Sequence, residues 1–401
     1  MSTLSVIIPA YNEEDGIASV IDRVWSIEST LRESAVDLEL IIVDDGSKDR
    51  TAEVVKQYPR VRLIQHAVND GYGAAIKTGF NAAAGEYLAF LDADGTYPPE
   101  HLPNLYRALI DQQADLVIGS RMAGASTEMP FVRRVGNMIF AHLVSLLGRQ
   151  YVSDSASGLR LFKRNILSQL YPLPDGLNFT PVMSTRAVHE HLKIIEVAVP
   201  YKERIGRSKL NVVRDGVRFT NSIVWTVLSY NPVRVFGLLG MGLIGLAFLF
   251  GVRLLIERVQ GITQLDAFGV FSVYAMLVLS VSGVSLFVLG VTFNYLISLL
   301  QNRPVRQGLF GKPMFKVPLE QRFGWLGIVA VIAGIAIGGA VWLTGYPIER
   351  LWLYLLISAL LILSGLQLII AWLLVKVLSE VKQREVKVKE DMAGSEVKRE
   401  Q

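Results

Sequence analysis

The chain has 401 residues, a formal charge of +4, no cysteine and 51% hydrophobic residues. Without cysteine, disulfides and thiolate metal sites are excluded. So small a charge argues against nucleic acid as a partner, because neutralising many phosphates takes a large basic surface. The apolar excess is high for a soluble protein and falls mostly after Asn231, which predicts a membrane part behind a soluble first half.

The opening "MSTLSVIIPAYNEE" has no basic start and too short an apolar run for a secretory signal, so the first domain is expected to stay in the cytoplasm. "LSVIIP" reads as a strand and "EEDGIASVIDRVWSIESTLRES" as one amphipathic helix. "LELIIVDDGS" is a second strand, and "KDRTAEVVKQY" a second helix opened by Ser47. "VRLIQH", "GYGAAIKTGFNAA" and "GEYLAFLDAD" continue the alternation as strand, helix and strand. Alternating units of this kind predict an α/β domain with a mostly parallel sheet covered by helices.

Ligands in such sheets bind beyond the carboxyl ends of the strands, and Asp44, Asp45, Asp92 and Asp94 all fall there. Carboxylates gathered on one rim repel one another, so a cation or a cationic network belongs among them. Strand alternation gives Asp92 and Asp94 the same face, and Gly95 lets the chain turn away. Hard oxygen ligands on one side suit Mg2+ or Mn2+. The competing reading is a solvated acidic turn.

Two segments, near 130–148 and 210–230, carry apolar residues at helical spacing. They are Val132, Val135, Ile139, Leu143 and Leu146 in the first, and Val213, Val217, Val224 and Leu228 in the second. Each begins with arginines. They are expected as core helices or as helices lying in a membrane interface. Four apolar segments of membrane length follow, near 233–256, 269–299, 324–344 and 351–378. The link between the second and third holds Arg303, Arg306, Lys312, Lys316 and Arg322, which places it and both chain ends in the cytoplasm of a multi-pass cell-membrane protein. The tail, 379–401, mixes charges densely and is expected as a frayed helix or as disorder.

The motifs in their order resemble family 2 glycosyltransferases of the GT-A fold, and most closely the polyprenyl-phosphate branch typified by dolichol-phosphate mannose synthase. They are "IIPAYNEE" (7–14), "IIVDDGSKDRT" (41–51), "NDGYGAAIKTG" (69–79), "FLDADGTYPP" (90–99), "GSRMAG" (119–124), "DSASGLRLF" (154–162) and "RIGRSKLN" (204–211). The resemblance implies a GT-A domain over residues 1–230 and a membrane domain of four spans over 231–378. It implies that Pro9, Tyr11 and Glu13 wall the nucleotide, that Asp44 and Asp45 meet the base, and that Gly73 and Lys77 belong to the nucleotide-sugar site. Asp92 and Asp94 become the metal pair that holds the donor diphosphate, and Thr96 stands where the family often has a further ligand, Gln. Arg133, Arg134 and Lys209 match basic positions near the acceptor phosphate, and Arg160, with Gly158, lies in the family's Ser-Gly-Phe-Arg position.

The implied reaction is transfer of a sugar from a UDP- or GDP-sugar to a dolichyl or undecaprenyl phosphate, with Mg2+ or Mn2+ and inversion at the anomeric carbon. A phosphate monoester is largely dianionic near neutral pH and needs no strong base. That agrees with His66, His101, His142, His189 and His191, which show no ligand spacing and are expected to be structural. Arginine suits the acceptor's charge because it is planar and always protonated. Of Arg121, Arg133, Arg134, Arg160, Arg204, Arg207 and Lys209, those expected to act are Arg133, Arg160 and Lys209, alongside Asp92 and Asp94. The expected partners are the nucleotide-sugar, the lipid phosphate and the bilayer, with a homo-oligomer possible and no nucleic acid. One rival is a membrane polysaccharide synthase, but "QRFGW" (321–325) has Gly324 where that class needs Arg. A second is a non-catalytic nucleotide-binding scaffold. A dehydrogenase is not expected, since "GYGAAIKTG" is not the spaced glycine fingerprint and does not follow the first strand.

Overall fold

The computed structural model describes residues 2–124, 129, 131–147, 150–201, 212–262, 264–300, 319–344 and 348–397. The chain packs as two compact units, Met1–Val227 and Leu228–Gln401.

The first unit alternates strands and helices: β1 (Ser2–Ala10), α1 (Ile17–Ser26), α2 (Glu28–Glu33), β2 (Val36–Asp44), α3 (Thr51–Lys56), β3 (Arg62–Gln65), α4 (Tyr72–Ala82) and β4 (Tyr87–Phe90). It continues with α5 (Leu102–Asp111), β5 (Leu116–Ser120), α6 (Phe131–Leu147), β6 (Arg160–Lys163), α7 (Leu167–Leu170), α8 (Phe179–His189), β7 (Ile194–Ala198) and α9 (Val212–Tyr230). The strands form one sheet in the order β3-β2-β1-β4-β6-β5-β7. Only β6 runs antiparallel, to both β4 and β5. From Leu4 to Ala10 every residue of β1 is buried. A strand flanked by parallel neighbours and covered on both faces has no polar side to show. Helix α1 buries Ile17, Val20, Ile21 and Val24, one stripe at helical spacing.

Residues 13–34 do not form the single helix expected. The chain turns at Glu13–Gly16 before α1 begins, with the N–H groups of Gly16 and Ile17 both reaching the Glu13 carbonyl. The reason is tertiary: the Glu13 N–H goes to Thr51 Oγ1 at 2.9 Å and the Glu14 N–H to Asp49 Oδ2 at 3.2 Å. Ser47 does not open α3. Its hydroxyl accepts the Asn12 N–H at 2.9 Å, so it ties the β1 loop to the β2 loop.

The second unit holds α10 (Pro232–Val259), α11 (Ala267–Leu300), α12 (Leu319–Leu343) and α13 (Ile348–Val397). Each contains a stretch long and apolar enough to cross a membrane. Helix α13 runs through most of the segment expected as a charged tail. The basic link expected on the cytoplasmic side falls, apart from Arg322, outside the described residues.

The four helices form two hairpins built on one motif. "FGLLG" (236–240) in α10 recurs as "FGWLG" (323–327) in α12, and "SGVSL" (282–286) in α11 recurs as "SGLQL" (364–368) in α13. The contacts recur with the letters. A Cβ on Gly240 would stand 2.6 Å from the Gly283 carbonyl, and one on Gly327 would stand 2.6 Å from that of Gly365. Gly251 faces Met276, and the equivalent Gly338 faces Ser358. Close backbone approach at small residues is how helices associate where lipid removes the hydrophobic drive. The hairpins meet where equivalent residues touch, Gln367 Nε2 donating to Ser285 Oγ at 2.8 Å, as on an approximate twofold axis. Gly324, in the segment compared with the polysaccharide synthases, packs under Trp372 and serves this packing. Gly240→Leu and Gly327→Leu each drive a side chain into a facing backbone, an overpacking cost of about 1–3 kcal/mol. Both are expected to lower the apparent melting temperature of the detergent-solubilised chain by similar amounts, read by intrinsic fluorescence.

Candidate active site

The site forms at the carboxyl edge of the sheet. Asp45 follows β2, and its N–H is held by the Ala10 carbonyl at 2.8 Å. Its carboxylate accepts the N–H groups of Asp70 and Gly71, both at 2.9 Å, and meets His66 Nδ1 at 2.8 Å. The other ring nitrogen of His66 meets Thr78 Oγ1 at 2.9 Å. Asp45, His66 and Asp70 bring ligand atoms within 4.8 Å of one another, but both His66 nitrogens already have partners in this network. Asp44, expected beside Asp45 on the base, is turned away. Its carboxylate accepts the Ser47 N–H at 3.1 Å and Gln65 Nε2 at 3.2 Å, and it does not line the cavity. Neighbours on an extended chain face opposite ways, so only one of the pair faces the cavity.

Strand β4 ends at Phe90, so Asp92 and Asp94 stand in the following turn and not on the strand itself. Tyr72, at the start of α4, donates its hydroxyl to Asp92 Oδ1 at 2.7 Å. Burial first, and then the Asp92 charge, push the Tyr72 phenol well above its usual range, so it stays a donor. Asp94 Oδ1 accepts the Thr96 N–H at 3.1 Å and the Thr96 hydroxyl at 2.6 Å. All three of Asp92, Asp94 and Thr96 line the cavity.

Gly158 lies against Asp92: a Cβ there would meet Oδ2 at 2.4 Å. The Gly158 N–H donates to the Tyr97 hydroxyl at 2.8 Å. Because Tyr72 already holds the carboxylate, Gly158→Ala is expected to displace Asp92 and slow a reaction that uses this carboxylate about 10- to 100-fold, the scale of an ångström-level misplacement. Steady-state rates beside an unchanged melting curve check it.

A buried ion pair forms the next stretch of wall. Arg121 grips Asp154 with Nε at 2.7 Å and Nη2 at 2.6 Å, and Asn137 Nδ2 joins at 3.0 Å. Tyr97 and Tyr201 face the guanidinium at 5.7 and 5.5 Å. Burial alone would push the Asp154 carboxyl up, but Arg121 outweighs it and holds the group below its ordinary value.

Arg160 is not on this wall, contrary to expectation. It is 0% exposed in β6, between β4 and β5. Its Nε and Nη2 donate to the carbonyls of Ser157 (3.1 Å) and Ser155 (2.7 Å), so it shapes the loop that presents Gly158. Burial brings its pKa down to about 10, which leaves it protonated at neutral pH. Gly73 and Lys77 are also displaced from their expected place. The Gly73 N–H goes to the Asp175 carbonyl at 2.7 Å, and Lys77 Nζ reaches the Leu173 carbonyl and Asp175 Oδ1. Both fasten α4 to the loop before α8 and neither lines the cavity. Arg134 is exposed on α6 and off the cavity. Arg204, Arg207 and Lys209 fall outside the described residues, as does the side chain of Arg133 on α6.

These walls enclose about 1060 Å3. Pro9, Tyr11, Glu13 and Asp45 line one part, and Asp92 and Asp94 the next. Beyond them Ile139 and Phe140 of α6 and Val217, Phe219 and Val224 of α9 make an apolar part. Helix α6 buries Asn137, Ala141 and Val144, while Ile139 is 60% exposed. Helix α9 buries Phe219, Ile223 and Val227, while Val217 is 66% exposed. The core therefore takes a different face of each helix from the stripes expected: among the described side chains of those stripes, Val135, Val224 and Leu228 are half-buried and Ile139 and Val217 exposed. Tyr72, Tyr97 and the Arg121–Asp154 pairing were not legible in the sequence as site partners. Their one signal was position within the "NDGYG", "DGTYPP" and "DSASG" motifs.

The family described as Glycosyl transferase family 2 matches residues 5–171, and Domain of unknown function (DUF8752) matches 232–389. Dolichyl-phosphate hexose transferase of Haloferax volcanii is 32% identical over 226 residues, covering 56% of this chain and 94% of its own. The chain is a family 2 glycosyltransferase. The first unit of this glycosyltransferase is the family's GT-A-like mixed-sheet domain, and a helical region with four apolar helices follows it. A second Haloferax volcanii protein, low-salt glycan biosynthesis hexosyltransferase Agl6, is 28% identical over 389 residues, 94% of the glycosyltransferase and 89% of the relative. Undecaprenyl-phosphate 4-deoxy-4-formamido-L-arabinose transferase of Photorhabdus laumondii is 30% identical over 280 residues, 68% and 82% of the two chains.

Proposed function

We propose that this glycosyltransferase moves a sugar from a nucleoside diphosphate-sugar to the phosphate of a membrane polyprenyl phosphate, inverting the anomeric carbon. One observation carries the reading. A single cavity joins the polar wall of Tyr11, Glu13, Asp45, Asp92 and Asp94 to the apolar wall of α6 and α9. A soluble acceptor has no use for the second wall, whereas an amphiphile needs both. The relatives named for dolichyl phosphate and undecaprenyl phosphate support a lipid acceptor.

Asp92 and Asp94 offer hard oxygen donors on the cavity wall, which fits Mg2+ or Mn2+. Such an ion, when bound, offsets the charge that grows on the departing nucleoside diphosphate. The chain's own residues do the rest. Tyr72 and Thr96 hold the two carboxylates in place, and Tyr11, Glu13 and Asp45 receive the nucleoside. The apolar residues of α6 and α9 keep water from the reacting phosphate. The acceptor oxygen attacks without a protein base, being already ionised; among the described residues no histidine lines the cavity. The excess of Lys and Arg in the link after α11 supports a cytoplasmic first unit and cytoplasmic chain ends.

Purified full-length enzyme, offered a panel of UDP- and GDP-sugars with radiolabelled sugar, tests this. A labelled lipid product that requires both undecaprenyl or dolichyl phosphate and a divalent ion is the expected result. Equal donor turnover without lipid phosphate, or preference for a water-soluble alcohol, overturns it.

A further inference from the structure

Among the described residues, two cations line the cavity, Arg121 and Arg218. Arg121 is committed to Asp154 through two hydrogen bonds, so the pair brings no net charge to the wall. Arg218 differs. It lies exposed on α9, and among the described residues its guanidinium has no carboxylate or hydrogen-bond partner. It is nevertheless placed. A Cβ on Gly176 would come within 2.6 Å of Arg218 Nη2, so the guanidinium rests on the loop before α8, where Gly176 and Leu177 also line the cavity. One turn along α9, Ser222 Oγ donates to the Arg218 carbonyl at 2.8 Å and accepts Asn178 Nδ2 at 2.8 Å, fastening that loop to the helix. Its neighbours on the wall are Val217 and Phe219.

A lone, pre-positioned guanidinium beside an apolar wall matches a phosphate head on a hydrocarbon chain. We propose that Arg218 binds the terminal phosphate of the polyprenyl acceptor. The inference rests on the lipid-phosphate reading above and adds the residue that receives the phosphate. The chemistry suits the reaction. Arginine's planar fork takes two oxygens of a phosphate monoester at once. It also keeps its proton throughout the working pH range, so it holds the nucleophile without protonating it.

The test uses the full-length enzyme with farnesyl phosphate as a short acceptor. Arg218→Ala and Arg218→Gln are expected to raise the acceptor KM about 10- to 100-fold, the scale of a lost charged hydrogen bond, while donor KM stays within about twofold. Arg218→Lys should recover part of the loss. A charge-specific readout separates binding from scaffolding: wild type should be inhibited more strongly by farnesyl thiophosphate than by farnesol, and Arg218→Ala should lose that discrimination. Because the side chain is exposed, the variants should melt with wild type. An unchanged acceptor KM, a raised donor KM instead, or lost binding to phosphatidylglycerol vesicles with acceptor kinetics intact would each overturn the assignment. Failure of wild type to glycosylate farnesyl phosphate or a longer polyprenyl phosphate would instead overturn the lipid-phosphate reading.

Discussion

Asp94→Asn should reduce sugar transfer by about a thousandfold or more, the several kcal/mol that a bound metal contributes to charge stabilisation. The Thr96 turn tolerates this substitution. Asp94 Oδ1 accepts both the Thr96 N–H and the Thr96 hydroxyl. An asparagine carbonyl can accept the same two donors, so the turn keeps its shape while one negative charge disappears. The variant should therefore melt with wild type, and its Mn2+ affinity, read by electron paramagnetic resonance, should fall with the activity. Normal transfer by Asp94→Asn would remove the metal from the proposed mechanism.

The second large effect concerns stability. Asp154→Asn leaves Arg121 buried without its counter-charge. Removing one partner of a buried pair costs about 3–5 kcal/mol, because the remaining ion is desolvated and unpaired. For a unit of this size that corresponds to a fall of roughly 6–20 °C in apparent melting temperature. The pH dependence gives an independent check. The Asp154 carboxyl is held below its ordinary 3.8 in the folded chain. Its contribution is thus complete above that ordinary value and drains away as pH falls through the lower, folded one. The gap between wild type and Asp154→Asn should be widest at neutral pH and should narrow below about pH 4. A gap that stays constant down to pH 3 would show that folding does not lower the Asp154 pKa.

Much of the architecture was legible because it is written in local patterns. The β-rich runs alternating with helical ones gave the mixed sheet, and unbroken hydropathy gave four apolar helices. The Asp92–Asp94 motif was found for the right reason only in part. Alternation along a strand was the argument, yet β4 stops at Phe90, and Tyr72, Thr96 and Gly158 arrange the pair in a turn. The duplicated hairpin was present in the letters all along. Its two short motifs stand out from other small and apolar residues only once the paired glycine contacts set the register.

The cations were the hardest to read. On paper Arg160, Lys77, Arg121 and Arg218 are alike: basic residues near glycine-bearing motifs. Their fates diverge because burial and partners come from segments far away in the chain. Arg160 is enclosed because β6 enters the sheet antiparallel between β4 and β5. Lys77 is captured by carbonyl and carboxylate groups at 173 and 175. Arg121 meets Asp154 across the same fold. The resemblance of the ordered motifs to a known family was enough to name the kind of protein, and periodicity and hydropathy, one-dimensional quantities that survive without coordinates, gave the alternating elements and the apolar spans. Which side chains face the cavity, and which cation there stays uncommitted, depended on strand pairing and on loops brought together over long separations, and no local pattern encodes that.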